Sequence, residues 1–331
     1  MITQMERIHH MVYYNYNALP EVRMIACVGE SLIDRIGDKC LIGGCPFNVA
    51  VAASRLGAPV TFFGKISSDN FGLSILERMI DDGVLFDPQS CNASLPTLCS
   101  KAIIGEDGKA TYSFDYEQTV ACSMTQAELS ASLANEGDIN LVFFGSISLL
   151  MEPMASAIVP AMRSISTNPA WFLDPNVRPS MVKNPDAYRK MILDLAAESD
   201  IVKVSDEDLD YLFPSLGLDD AEKKMSVICR SNLIVTRGEK GSSWYAKSFR
   251  ADCPAFNAGI GEIVDTVGCG DTFSGAVIAY LDRNDLIGQL EDLRRSDVEA
   301  MLDYASKAAG LNCLFEGCNP PRRVGNEDEL E

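Results

Sequence analysis

The sequence predicts an α/β protein: a doubly wound, mostly parallel sheet sandwiched by helices, with a small β lid. Three observations predict it. Apolar runs of strand length alternate with amphipathic helical stretches along the 331 residues. The runs are almost continuously apolar, as strands covered on both faces are. One region, Thr97 to Tyr116, departs from this with alternating apolar and polar residues around an acidic glycine turn, Gly105-Glu106-Asp107-Gly108, which marks a separate β-hairpin.

Taken in order, residues 1–23 are polar, with Tyr13, Tyr14 and Tyr16 but no apolar run long enough to span a membrane or form a secretory core, and read as a loose extension. One unit is expected from residue 24 to 331. Strands are expected at Met24–Val28, Val60–Gly64, Leu141–Phe144, Trp171–Leu173, Ile201–Val204, Leu233–Val235 and Glu262–Val264. Between them the 3.6-residue period predicts helices at Pro46–Leu56, Phe71–Asp82, Thr125–Asn135, Pro153–Ser166, Pro185–Glu198, Ala221–Arg230, Asp271–Asp282 and Val298–Cys313. Right-handed crossovers wind such a chain into a sheet with helices on both sides. The segments at about 34–43 and 97–117 form the lid, and the tail from Asn319 onward reads as solvated.

Lys and Arg total 28 against 47 Asp and Glu, a net charge of −19. Such a surface repels nucleic acid and anionic membrane, so neither is an expected partner. It also repels a nucleotide unless the site is locally positive or magnesium accompanies the ligand. The 11 cysteines include no CxxC pair, and with no secretory leader they read as reduced cytoplasmic thiols. The only histidines, His9 and His10, precede the first strand, which excludes a serine–histidine triad or a histidine zinc site from the core.

The most informative stretch is Asp265-Thr266-Val267-Gly268-Cys269-Gly270-Asp271. A glycine turn opening a helix leaves unpartnered N–H groups at the positive end of the helix dipole, a seat for an anion. Asp271, a carboxylate in the same loop, is then a general base. The pair points to phosphoryl transfer onto an alcohol; the alternative is a plain N-cap after a glycine turn. Cys269 in that loop is either a thiol activated by the helix terminus or an inert one packed against the helix.

Gly43-Gly44-Cys45-Pro46-Phe47-Asn48 opens a helix, and Asn48 either faces a ligand or belongs to an ordinary helix start. Asp34 follows the first strand at the carboxyl edge of the sheet. There it accepts sugar hydroxyls or is a solvated loop acid. Arg178, after Asp174-Pro175-Asn176, holds a phosphate or substrate oxygen, or is a surface arginine. Thr236-Arg237-Gly238-Glu239-Lys240-Gly241 passes beside a nucleotide or simply turns into a hairpin strand. No GxxxxGK[ST] run occurs, and Gly268-x-Gly270 lacks the third glycine of a dinucleotide fingerprint.

Together these segments resemble the ribokinase-like (PfkB) family of carbohydrate kinases over about residues 24 to 325. Gly43-Gly44 with Asn48, and Asp265-Thr266-x-Gly268-x-Gly270-Asp271, carry the resemblance. Within the family Asp174-Pro175-Asn176-Val177-Arg178-Pro179 and Lys203-Val204-Ser205-Asp206-Glu207-Asp208-Leu209 look most like bacterial fructokinases, while ketodeoxygluconate kinases share an arginine matching Arg178. The resemblance implies an ATP-dependent sugar kinase acting on a primary hydroxyl, with fructose the first substrate to test, and ketodeoxygluconate or a nucleoside the next. It implies Asp271 as base, the amides of Gly268, Cys269, Gly270 and Asp271 as anion hole, and Asp34, Gly44, Asn48 and Arg178 on the sugar. Thr236, Gly238, Gly241 and Asn319 would flank the nucleotide, with Asp265 a potassium ligand and Asp208 linked to Mg2+ through water. A homodimer through the lid edge is a further expectation. Two departures stand out: Cys269 occupies a position where many relatives carry alanine, and Ser205-x-x-Asp208 replaces the family's Asn-x-x-Glu.

Overall fold

The computed structural model describes residues 23–91, 93–104, 110–257, 261–325 and 329–331. The expected extension, apart from Arg23, lies outside the described residues, as do His9, His10 and the hairpin tip at 105–109.

The strands β1 (Met24–Val28), β4 (Val60–Phe63), β5 (Leu85–Phe86), β8 (Ile139–Gly145), β9 (Ala170–Asp174), β10 (Ile201–Ser205), β11 (Asn232–Thr236), β12 (Ser242–Tyr245) and β13 (Arg250–Cys253) form a nine-stranded sheet in the order β13-β12-β11-β10-β9-β8-β1-β4-β5. Pairing is parallel from β11 to β5 and antiparallel across β11, β12 and β13. Strand alternation divides the core in two. Ile25 and Cys27 of β1 join one apolar cluster with helices α1 (Cys45–Arg55), α8 (Cys269–Arg283) and α9 (Arg295–Asn312). Ala26 and Val28 join the other, with α3 (Gln126–Ala134), α4 (Met154–Arg163), α5 (Pro185–Glu198), α6 (Asp206–Leu212) and α7 (Leu218–Ile228). Helix α2 (Asn70–Asp82) packs into the first cluster through Ile75, Leu76 and Met79. Full burial of each large aliphatic or aromatic side chain contributes about 1.5–3 kcal/mol, so both faces of the sheet are strongly committed.

A second sheet of four strands has the order β3-β2-β6-β7: β2 (Leu32–Ile36), β3 (Lys39–Gly43), β6 (Cys99–Ile104) and β7 (Ala110–Phe114). β2 leaves the carboxyl end of β1, and β3 runs directly into α1, which ties this sheet to the carboxyl edge of the large one.

Three expectations are corrected. Glu262–Val264 is not a strand. Ile263 and Val264 are 59% and 62% exposed, and the Val264 N–H bonds the Cys313 carbonyl at 2.8 Å instead of a neighbouring strand. The edge of the sheet is instead the β12–β13 hairpin. Helix α8 begins at Cys269 rather than Asp271, because Gly268 serves as its N-cap. The tail is docked rather than solvated: Pro320 and Pro321 are buried, Arg55 donates to the Pro320 carbonyl (2.6 Å), and β14 (Arg323–Val324) pairs with β15 (Glu329–Leu330).

Candidate active site

The loop before α8 is held from several sides. Asp265 accepts from the N–H of Val267 (3.0 Å) and from that of Gly317 (2.9 Å), which clamps the loop to the turn after α9. Buried Asn312 donates to the Val267 carbonyl (2.9 Å) and accepts from the Thr272 hydroxyl (3.2 Å). Gly268 has φ 75°, and a Cβ there would lie 2.5 Å from that of Cys318, so a side chain is excluded both by conformation and by space. The Cys269 N–H reaches the Thr266 carbonyl at 3.3 Å, whereas the N–H groups of Gly270 and Asp271 meet no acceptor among the described residues. These are the free donors of a helix start, held rigidly.

Asp271 is 8% exposed. Its carboxylate accepts from the Asn48 side-chain amide at 2.8 Å and from that of Asn176 at 3.5 Å. Asn176, with φ 38°, is itself gripped by Arg178, whose Nη1 donates to the Asn176 Oδ1 at 2.5 Å. Asn48 belongs to the first turn of α1, where Gly44 is the N-cap. Three segments far apart in sequence thus converge on one carboxylate.

Asp34, on β2, faces the same space. Burial raises its pKa; a hydrogen bond from Ser100 and the Arg178 charge oppose the rise, and the Asp271 charge adds to it. The structure therefore brings Asp34, Asn48, Arg178 and Asp271 together.

Beneath the helix start lies a buried ion pair that sequence reasoning missed. Lys203 of β10 donates to Asp174 at the end of β9, 2.7 Å away, and Ser274 donates to the same oxygen at 3.3 Å. Burial works against the Lys203 charge, but Asp174 outweighs it and raises the pKa. Burial pushes Asp174 up to about 6, against the pull of Lys203. A Cβ on Gly270 would sit 3.3 Å from the Lys203 Nζ, so the ammonium lies just under the free amides. Cys45, Asp174 and Asp271 bring their ligand atoms within 4.8 Å of one another, and Lys203 supplies the counter-charge to this acidic group. Glu30, buried at the end of β1, accepts from the Cys45 N–H (3.2 Å) and from Ser148, and burial pushes it up to about 7. The readable signal was a lysine inside an otherwise apolar strand.

Other expected residues have structural occupations. Asp208 is buried; it accepts from the Val177 N–H (2.7 Å) and from the N–H and hydroxyl of Ser205 (2.8 Å each), closing a capping box on α6. The Asn319 side chain accepts from Arg55 (2.7 Å) and is turned toward α1. Gly238 and Gly241 close a short turn between β11 and β12, with the Gly241 N–H on the Gly238 carbonyl at 3.1 Å. Thr236 ends β11, its hydroxyl 3.5 Å from the Val204 carbonyl. The Cys269 thiol is not the activated one. It shares a hydrogen bond with the Cys313 thiol across 2.8 Å, in which either sulfur can donate; that contact and burial raise Cys269 above its ordinary value.

Free amides at a helix start, a lysine under them and a braced carboxylate at their mouth form a site for moving a phosphoryl group onto a hydroxyl. The class that the fold and this site define is that of small-molecule kinases. Comparison with known proteins gives the family: residues 22–323 match the pfkB family of carbohydrate kinases, to which this chain belongs. A fructokinase of Rhizobium leguminosarum bv. trifolii is 34% identical over 274 residues, 80% of this chain and 81% of its own. Among solved structures, a Xylella fastidiosa fructokinase with bound ATP has a TM-score of 0.76 at 24% identity, covering 89% of this chain and 93% of that one. A Vibrio cholerae O395 fructokinase with fructose, ADP and calcium has a TM-score of 0.74 at 20% identity, covering 90% and 95%. The ribokinase-like resemblance and the doubly wound fold are thereby borne out.

Proposed function

We propose that this carbohydrate kinase transfers the terminal phosphoryl group of ATP to the primary hydroxyl of D-fructose, giving fructose 6-phosphate. One observation carries the chemistry: the Asp271 carboxylate stands beside the free N–H groups of Gly270 and Asp271, above Lys203. Asp271 takes the proton of the attacking hydroxyl. The amides and the ammonium stabilise the charge that develops on the transferred group. Asn48 keeps one N–H and its carbonyl oxygen for a sugar hydroxyl after bonding Asp271, and Asp34, Arg178 and Gly44 complete the sugar side. Thr236, Gly238 and Gly241, with the backbone at Asn319, border the nucleotide, which brings Mg2+ with it. Asp265 is the candidate support of a potassium site. The four-stranded sheet acts as the lid that excludes water, and its exposed edge is the surface for a homodimer. Among the described residues no helix is long and apolar enough to cross a membrane, which supports a cytoplasmic place of action.

The choice of fructose rests on the named relatives. A second reading, a sugar acid such as 2-keto-3-deoxygluconate, is favoured by Arg178, since a guanidinium pairs readily with a carboxylate. A coupled ADP-release assay over fructose, 2-keto-3-deoxygluconate and nucleosides decides between them. Fructose is expected to give the highest kcat/KM. A clear preference for the sugar acid or a nucleoside overturns the assignment, and no turnover of any of them makes the chain a binding protein.

A further inference from the structure

We propose that Cys269 and Cys313 are a modification site, a thiol pair that peroxide converts to a disulfide and that thereby switches off the anion-binding helix start. The proposal goes beyond the kinase reading and rests on it only for its effect on turnover.

The sulfurs lie 2.8 Å apart, the one pair of thiols in mutual contact among the described residues. A disulfide needs about 2.05 Å, so the bond requires only a small approach. Cys269 is the first residue of α8 and Cys313 caps the end of α9. Both are partly exposed, whereas Cys27, Cys45, Cys91 and Cys318 are buried. The Asn312 amide faces the Cys269 sulfur at 3.5 Å. A thiolate is the form that attacks peroxide, and the sulfur 2.8 Å away is in place to resolve the sulfenic acid that results.

The chemistry balances as follows. The Cys313 thiolate attacks one peroxide oxygen, the O–O bond breaks, and hydroxide leaves to become water. Cys313 is then a sulfenic acid. The Cys269 sulfur attacks it, the S–S bond forms, and the sulfenic hydroxyl departs with the Cys269 proton as a second water. Two thiols lose two electrons to one peroxide.

The same peptide that carries Cys269 leads to the free amides of Gly270 and Asp271, while the Cys313 carbonyl already receives the N–H groups of Val264 (2.8 Å) and Asp265 (3.3 Å). Drawing the sulfurs together therefore shifts the first turn of α8 against the loop that presents the amides. Misplacement by 1 Å costs roughly a hundredfold in rate, so a shift of part of that distance is expected to lower turnover roughly tenfold.

The test uses the purified full chain, reduced, then treated with hydrogen peroxide, alkylated and digested. Mass spectrometry is expected to find the 269–313 linked peptides, turnover is expected to fall about tenfold, and dithiothreitol is expected to restore it. Cys313→Ala and Cys269→Ala, each compared with its own reduced rate, are expected to keep their activity in peroxide. No 269–313 linkage, a linkage through Cys318 instead, or the linkage with unchanged turnover overturns the proposal. If the reduced chain phosphorylates no sugar, the kinase reading alone has failed. The peptide map, read with ATP binding before and after oxidation, then decides the proposal by itself.

Discussion

Asp271 carries the chemistry, and its neighbours show how a carboxylate is kept poised beside an anion seat. Asn48 and Asn176 donate to its two oxygens, so Asp271→Asn removes the proton-accepting group at unchanged size and keeps the Asn48 contact when its NH2 turns to the longer, 3.5 Å one. General-base catalysis contributes about 10²–10⁴-fold, so this variant is expected to lose at least about a hundredfold in kcat with little change in the KM for sugar. Near-normal turnover would remove Asp271 from the reaction. Glu30 offers a different test. Its folded pKa, about 7, exceeds the ordinary 4.5, because the buried site disfavours its charge. Between these values the folded chain holds a proton that the unfolded chain releases, so stability falls as pH rises from about 4.5 to 7. Glu30→Gln removes that term, and denaturant titrations of wild type and variant are expected to diverge over this interval, with the variant's curve the flatter. Parallel curves would show that Glu30 titrates normally. Asp271, Asn48, Asp34 and Arg178 were legible through the family resemblance, because a place after a strand or at a helix start left a plain structural reading open for each. Asn176, Lys203 and Cys313 were not. Their meaning depends on contacts across 95, 29 and 44 residues, which no local pattern encodes.

Among the elements, the buried parallel strands were the most readable. β1 is a continuous apolar run, β4, β8 and β10 are broken only by Thr61, by Asn140 and by Lys203 and Ser205, and their apolar side chains alternate between the two core clusters. The same criterion misled at Glu262–Val264, because a short apolar run reads alike whether a partner strand exists or solvent does. The helix α6 escaped notice since it is short and acidic, with Asp206, Glu207 and Asp208 in its first turn. Its stability comes from the capping box rather than from an apolar stripe, and that gives a prediction. Asp208→Ala strips the Ser205 N–H, the Ser205 hydroxyl and the Val177 N–H of their common acceptor. Loss of a cap and of buried partners costs about 1–3 kcal/mol. Thermal unfolding is expected to show that loss, with the Mg2+ dependence of the rate unchanged in the protein that remains folded. A raised Mg2+ requirement with undiminished stability would instead make Asp208 part of the metal site.

At the scale of the whole molecule, charge is the dominant fact. A net of −19 surrounds a site in which Asp174 neutralises Lys203 and Arg178 spends its Nη1 on the Asn176 side chain. Magnesium-bound ATP is still an anion, so it approaches against the field of the protein, while fructose approaches freely. Screening shortens that field to about 8 Å at physiological ionic strength, against about 30 Å at 0.01 M. Raising the salt over this range is therefore expected to increase kcat/KM for ATP and leave the KM for fructose unchanged, with fructose serving as the uncharged control in the same assay. Choline chloride is the salt to use, because potassium would also fill any site at Asp265. A kcat/KM for ATP that falls with salt would mean that Arg178 and Lys203 steer the nucleotide locally and that the net charge is spent elsewhere, on solubility and on excluding nucleic acid.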